Sequence, residues 1–494
     1  MPSLFAGKRR FLISAVRKFL FLSAGGQSII RIRICAAVGR HIPDKHKRIL
    51  GDTVASISEI AYERYNVRTV STIALCALVT LLDGFDAQAV GALAPSLAQH
   101  FAVPVSALGP MFGAAMFGLG IGAVAMGPIA DRWGRRKSLI LSTLVFAVCA
   151  LLTTRAASLD QLVICRFATG LGLGGALPNT LALAAEYSPR RSAGFAVAVV
   201  SACVPGGGLL GGLAAGAILP RWGWQSFFFL GGTIPLLIAI ALVFFLPESL
   251  KFLVARNADA RLIRKIFRRM YLRDATDEEF EQLKPVRVVS GGPISALFTE
   301  GRAPTTALLW LTYFMNLLIM YFIVSWLPSL LSSIGLPSWT GARSIVLFSL
   351  GAIAGSLMQR RMSRYCGASP VMMAEFAVFS VASLWLANGH LDYDSTIAVA
   401  FLMGFCIVGA QIGLNMVVTE FYPITARATG LGWGLGIGRI GSIVGPLLGG
   451  FMLREQWSVA DIFLAGIAPA VIAGCAMAAY GVRARAHIAI EVKR

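Results

Sequence analysis

The sequence predicts an all-α membrane protein of twelve transmembrane helices arranged as two six-helix lobes. Three observations lead there: apolar residues fall in long blocks, Lys and Arg gather on alternate connections, and the second half repeats the first.

Of the 494 residues, 56% are hydrophobic and 14% charged, too little polar surface for a water-exposed chain of this size. Apolar blocks such as Thr69 to Leu82 and Thr233 to Leu246 recur at lengths approaching the roughly 20 residues that cross a bilayer as a helix. Spans are read near 69–94, 107–130, 138–156, 160–186, 193–219 and 226–247, then 304–331, 341–361, 370–389, 395–419, 427–453 and 458–482.

Basic residues cluster in the N-terminal tail, the Asp131–Lys137 turn, Arg190/Arg191, the 248–303 segment, Arg360/Arg361/Arg364, and the tail holding Arg483 and Arg485. The intervening loops hold few: Arg155, Arg221, Arg343 and Arg454, with His390, Asp392 and Asp394. Cytoplasmic loops collect Lys and Arg, so both termini are expected in the cytoplasm of a multi-pass protein. The same bias accounts for the net charge of +20, and nucleic acid is not an expected partner. The eight cysteines are scattered without a CxxC pair and the five His show no HExxH spacing; neither a disulfide framework nor a metal site is expected.

Glu186-Tyr187-Ser188-Pro189 recurs as Glu420-Phe421-Tyr422-Pro423, an offset of 234 positions (186 to 420). Gly170 and Gly175 pair with Gly404 and Gly409 at that offset, as does Phe229-Leu230-Gly231-Gly232 with Phe463-Leu464-Ala465-Gly466. Six helices are therefore followed by six more in the same orientation, the parallel repeat of two-lobed transporters, whose sites lie between lobes near the midplane. The resulting organisation is a basic cytoplasmic extension (1–65), a first lobe (66–247), a cytoplasmic linker (248–303), a second lobe (304–482) and a cytoplasmic tail (483–494). Asn257 to Lys284 in the linker is charged and compatible with amphipathic helix, with a break near Ala275-Thr276-Asp277. The apolar stretch Phe11 to Ala24 carries Arg17-Lys18 in its middle and makes a poor signal peptide. A basic amphipathic helix on anionic lipid is one reading of the extension; an upstream segment without a structural role is preferred.

Gly127-Pro128-Ile129-Ala130-Asp131-Arg132-Trp133-Gly134-Arg135-Arg136 fits GxxxDRxGRR in the turn between spans two and three. Its glycines permit a tight turn and close helix approach, and its carboxylate can meet a helix N-terminus or a cation. The corresponding second-half turn, Met362-Ser363-Arg364-Tyr365-Cys366-Gly367, lacks the acid. In span one, Asp83-Gly84-Phe85-Asp86 places two carboxylates at i and i+3 on one helix face. Charge at such depth is costly and marks ion or proton paths; the alternative is a structural pair with a nearby arginine. Arg166 in span four and Arg439 in span eleven can each pair with an aspartate or hold a substrate carboxylate through the planar guanidinium fork. Gln411 and Asn415 in span ten, and Tyr313, Asn316 and Tyr321 in span seven, offer hydrogen bonds to a solute or glue between helices, with Trp326 as an aromatic wall. Glu375 has no evident role. Gly436-Ile437-Gly438-Arg439-Ile440-Gly441 matches GxGxxG, but no strand precedes it, so it reads as helix packing and not a dinucleotide site.

The 127–136 turn resembles the signature of the major facilitator superfamily. Asp83-Gly84-Phe85-Asp86, Arg166-Phe167 with Gly170-Leu171-Gly172, Pro247-Glu248-Ser249, Ser325-Trp326-Leu327-Pro328, Gly409-Ala410-Gln411, Arg427-Ala428-Thr429-Gly430 and Gly436-Ile437-Gly438-Arg439 look like the aromatic acid:proton symporter family, over about residues 66–482. The resemblance implies a plasma (cell inner) membrane importer of benzoate-like acids, driven by the proton gradient with no cofactor, not an enzyme, and acting as a monomer. It implies proton coupling through Asp83 and Asp86, and substrate contact by Arg166, Arg439, Gln411, Asn415, Tyr313 and Asn316. Gating falls to Gly127, Asp131, Arg132, Gly134, Arg135, Arg136, Glu186, Glu420 and Arg427. Glu420 departs from the family pattern, where a small residue is usual. Rival readings are a facilitator of a sugar, a non-aromatic carboxylate or a drug, and a transporter-like membrane sensor that moves nothing.

Overall fold

The computed structural model describes residues 65–189, 192–256, 258–271, 294–333, 339–388, 393–423 and 426–493. The N-terminal extension up to residue 64, Arg190/Arg191, the expected break at 275–277, and His390 with Asp392 lie outside the described residues.

The described residues form helices and no strand. Ten helices are long and apolar enough to cross a membrane, and twelve spans follow from two further facts. Ala193–Phe245 runs for 53 residues, roughly 80 Å at about 1.5 Å per residue against a hydrocarbon core of about 30 Å. Gly223 breaks it with φ 72° and ψ 177°, a backbone that only glycine adopts without strain, so 193–222 and 224–245 are spans five and six. Leu159–Tyr187 is span four; its Arg166, Asn179 and Thr180 lower its hydropathy because it faces protein.

Span one is Val67–His100, opened by a reciprocal cap between Asn66 and Thr69. Spans two and three are Gly109–Trp133 and Arg135–Thr153. The second lobe contains spans seven to eleven as Ala303–Ser333, Trp339–Cys366, Ala368–Ala387, Tyr393–Phe421 and Arg427–Arg454. Span twelve is interrupted at Gly466 into Val459–Ala465 and Ile467–Lys493.

The internal repeat is visible in the packing. Span two crosses span four, where Gly170 lies against the Ala115 carbonyl, and span eight crosses span ten, where the equivalent Gly404 lies against the Phe348 carbonyl. Absence of a Cβ lets each pair of backbones touch. Between the second and third helix of each lobe the chain turns on a positive-φ glycine, Gly134 at 97° and Gly367 at 85°.

Short helices Leu250–Ala255 and Ala260–Tyr271 follow span six. Leu250, Leu253, Val254, Ile263, Phe267 and Met270 bury themselves in one cluster with Cys76, Leu139, Tyr187 and Leu242 of the first lobe. The membrane side carrying these helices is termed the linker face below, and the opposite side the far face.

Candidate functional site

Span one remains helical through Asp83 and Asp86, which are 6% and 1% exposed. Arg166, from span four, donates from Nη1 to Asp86 Oδ1 at 2.8 Å and from Nη2 to Oδ2 at 2.7 Å. This two-pronged geometry is the strongest available to such a pair, and it lets two charges remain buried where either alone would be costly. The guanidinium also lies 5.6 Å from the centroid of the Phe228 ring. Asp83 receives no hydrogen bond among the described residues; the charges whose fields reach it are Arg439 and Asp86.

Arg439 is half-buried and belongs to the other lobe. Its stem lies along Gly120 of span two, where an added Cβ would sit 3.2 Å from the Arg439 Cγ. The contact belongs to a longer pattern. Positions 432, 436, 439, 443, 447 and 450 share one face of span eleven by spacings of three and four residues, and 109, 113, 120 and 127 share one face of span two by spacings of four and seven. A Cβ at Gly109 would lie 3.3 Å from the Gly450 Cα, and one at Gly113 would lie 3.0 Å from Leu447. At Gly127, Gly432 and Gly436 it would meet open space. The two helices thus touch toward the far face, meet at Arg439 near the middle and diverge toward the linker face.

Two more crossings agree. Gly91 of span one abuts the backbone of Val324 and Ser325 in span seven, and Gly212 of span five abuts Ala342 and Val346 in span eight. Phe112 meets Trp326 edge-on at 5.3 Å. Trp326, read from sequence as a wall of the site, is fully buried and donates from Nε1 to the Pro446 carbonyl at 2.9 Å; it belongs to the far-face closure. The chain stands closed on the far face and open on the linker face.

Below Arg439, spans seven and ten share a ladder of polar groups. The Tyr313 hydroxyl donates to Asn415 Oδ1 at 2.8 Å, Asn316 Nδ2 to Gln411 Oε1 at 2.9 Å, and Gln411 Nε2 to Asn415 Oδ1 at 3.4 Å. Tyr313 and Asn316 are fully buried, while Gln411 and Asn415 are half-buried. One acceptor in the ladder, Asn316 Oδ1, is buried without a partner. Glu375 is also buried and meets Gln359 Nε2 at 3.4 Å. The GxGxxG stretch lies within span eleven, where Gly438 and Gly441 pack on Leu317 and Phe314 of span seven.

On the linker face the turn residues divide. Glu248 accepts from the backbone N–H of Arg136 at 3.0 Å and of Ser249 at 2.9 Å. Its carboxylate occupies the space beside Gly134, where a Cβ would meet it. Glu186 accepts from Ser249 Oγ at 2.7 Å and the Lys251 N–H at 2.9 Å, and pairs with Arg135 at 3.5 Å. Arg136 also donates to the Val243 carbonyl, and Arg256 holds the Asp131 and Arg132 carbonyls at 3.3 and 3.0 Å. The Asp131 carboxylate is exposed and has no partner among the described residues. Glu420 is exposed outside this network, and Arg427 donates to the Tyr422 carbonyl at 3.1 Å.

The sequence assigns Glu248 and Gly120 no role; it holds an aspartate–arginine pair open as an alternative without saying that Arg166 takes Asp86. Glu248 stands in the Pro247-Glu248-Ser249 stretch, which the sequence offers only as part of a resemblance. Gly120 is one of many glycines, and only its seven-residue spacing from Gly113 on the Gly109 face marks it.

Twelve spans in two like-oriented lobes, packed over midplane charges, define a transporter of the two-lobed, alternating-access class. The model of the Major Facilitator Superfamily matches residues 76–365 and 309–491, and the chain belongs to that superfamily, in its branch of aromatic acid transporters. It is 34% identical to the 4-hydroxybenzoate transporter PcaK of Pseudomonas aeruginosa, over 82% of this chain and 90% of that one. Identity to the gallate transporter of Pseudomonas putida is 36%, over 82% and 90%. The 3-(3-hydroxy-phenyl)propionate transporter of Escherichia coli is 33% identical, over 83% and 93%. Among solved structures, the inward open conformation of the xylose transporter XylE from E. coli superposes with a TM-score of 0.69 at 16% identity, covering 83% of this chain and 95% of that one. At that identity the likeness concerns the fold alone.

Proposed function

We propose that the chain imports a small aromatic carboxylic acid of the benzoate or hydroxybenzoate class together with protons. The observation that carries this reading lies across the lobes: Asp83, without a hydrogen bond among the described residues, is within the field of Arg439, whose stem lies on Gly120. A carboxylate entering from the far face meets the Arg439 guanidinium, whose fork suits it. It then competes with Asp83 for the same cation, and protonation of Asp83 relieves the competition, so anion and proton travel together. The Tyr313–Asn316–Gln411–Asn415 ladder orients the ring, and the named substrates of the relatives above are aromatic acids. Asp86 and Arg166 hold each other and act on Asp83 by position and field.

The linker face, rich in Lys and Arg, is the cytoplasmic side of the plasma (cell inner) membrane. The open state described is then the one that releases substrate inside, and Asp131, which has no partner among the described residues, belongs to a latch engaged in the opposite state. The working unit is a monomer.

Uptake of a panel of labelled aromatic acids, with and without a protonophore, tests the reading. Accumulation of a hydroxybenzoate that collapses with the protonophore is expected. Equal competition by a solute lacking a carboxylate overturns the substrate class, and uptake indifferent to the protonophore overturns the coupling.

A further inference from the structure

Glu375 is a buried acid that the proposed mechanism does not use. It is 3% exposed on span nine, where span eight offers it the Gln359 amide and span ten the bare Cα of Gly409. Gly413, one turn further along span ten, makes room for the Gln359 amide nitrogen and for the Met372 sulfur. Gly409 and Gly413 each precede Gln411 and Asn415 by two residues, about 200° round the helix. This polar group therefore lies behind span ten, on the side turned away from the ladder. Among the described residues no cation pairs with Glu375, and the titratable neighbour coupled to it is the Cys406 thiol of span ten.

Gln359 Nε2 donates to Glu375 Oε2 at 3.4 Å, and there the satisfied contacts end. Glu375 Oε1 and Gln359 Oε1 are both buried with no partner among the described residues. A Cβ added at Gly409 would stand 2.5 Å from the first and 3.5 Å from the second, so the two oxygens border one space. Two acceptors need a donor between them, and an ionised carboxyl has none to give, whereas the neutral acid has one O–H. A charge buried without a counter-ion is also far costlier than the neutral acid. We propose that Glu375 is a resident proton site of the second lobe, separate from Asp83. Its Oε1 carries the proton and donates it to Gln359 Oε1, so that acid and amide each give one hydrogen bond and each accept one.

The experiment is infrared difference spectroscopy of the full chain in detergent at neutral pH, wild type against Glu375→Gln. The wild type should show the carbonyl stretch of a protonated carboxylic acid that the variant lacks. Gln359→Leu removes the acceptor and should move that band to higher frequency. Folding would then take up a proton that an ordinary unfolded glutamate does not hold, so stability falls as pH rises. Raising the pH should accordingly lower the melting temperature of the wild type more than that of Glu375→Gln. A Glu375-dependent band of an ionised carboxylate overturns the assignment and means that a cation or a water fills the space over Gly409. An acid band that Gln359→Leu leaves in place overturns it as well, and this second variant decides the matter if Glu375→Gln yields no folded protein.

Discussion

Arg166 closes on Asp86 with two hydrogen bonds of 2.8 and 2.7 Å, while Asp83, one helical turn earlier on the same face, receives none among the described residues. Two carboxylates that look equivalent in sequence are thereby divided. One is matched to a cation of its own lobe, and the other lies in the field of Arg439 of the opposite lobe, the cation that the proposed mechanism has it share with substrate.

That division predicts different failures. Asp83→Asn should insert and fold normally yet lose proton-driven accumulation, while exchange of labelled for unlabelled substrate persists. Asp86→Asn leaves Arg166 buried without its counter-charge, which costs about 3–5 kcal/mol, so the detergent-solubilised protein should melt early by fluorescence-detected size-exclusion. Asp86→Asn combined with Arg166→Gln should recover much of that stability. Proton-dependent accumulation by Asp83→Asn at the wild-type level would refute the division.

Gly120 supplies the floor on which Arg439 lies, at 3.2 Å from a would-be Cβ. Gly120→Ala asks the flexible arginine stem to yield by a few tenths of an ångström and should be tolerated. Gly120→Leu should displace the guanidinium and forfeit a charge-assisted contact of about 1.5–3 kcal/mol, a roughly 10- to 100-fold rise in apparent KM. Arg439→Lys, which keeps the charge but not the fork, should fall between the two. Transport by Gly120→Leu with unchanged KM would show that Arg439 does not meet the substrate.

The linker-face acids should separate by state. Glu248→Ala removes the acceptor from two backbone N–H groups and should lower stability by about 1–3 kcal/mol. Asp131→Asn removes no contact found among the described residues. It should leave the melting temperature alone and move the population toward the far-face-closed form, read as a shortened distance between spin labels on the far-face loops of the two lobes. A stability loss from Asp131→Asn would mean that its carboxylate is already engaged here.

Much of this architecture was legible because its causes are local. Apolar blocks specify spans, and the 234-residue offset between Glu186 and Glu420 exposes the repeat. The i, i+3 spacing of Asp83 and Asp86 announces one face. Partners across helices are another matter. Nothing in the neighbourhood of Arg166 states that its mate is Asp86 and not Asp83, since crossing angle and depth decide it. Glu186 and Glu420 share a motif, yet only Glu186 is buried, because Ser249, Lys251 and Arg135 gather around it in the first lobe. Spans five and six are separate in the sequence, at 193–219 and 226–247, but that the chain passes between them in one helical run parted by a single positive-φ glycine, Gly223, is not legible there.

Asn316 offers the sharpest test of what the site selects. Its amide nitrogen is committed to Gln411, and its Oδ1 is buried with no donor among the described residues. A buried acceptor left unmade costs about 1–3 kcal/mol, a debt that a hydroxyl-bearing ring could discharge by donating to it. Sites built to meet a hydroxyl discriminate strongly against analogues lacking one, because the polar group is then stranded. Asn316→Leu should therefore reduce uptake of hydroxybenzoates by about 10- to 100-fold while affecting benzoate little, so that the preference narrows or reverses. Asn316→Asp offers a control, since an anion at that depth should repel the carboxylate of hydroxylated and unhydroxylated acids alike. Competition curves with benzoate, 4-hydroxybenzoate and 3-hydroxybenzoate on both variants decide the matter. An equal loss for hydroxylated and unhydroxylated acids would reduce Asn316 to a strut between spans seven and ten.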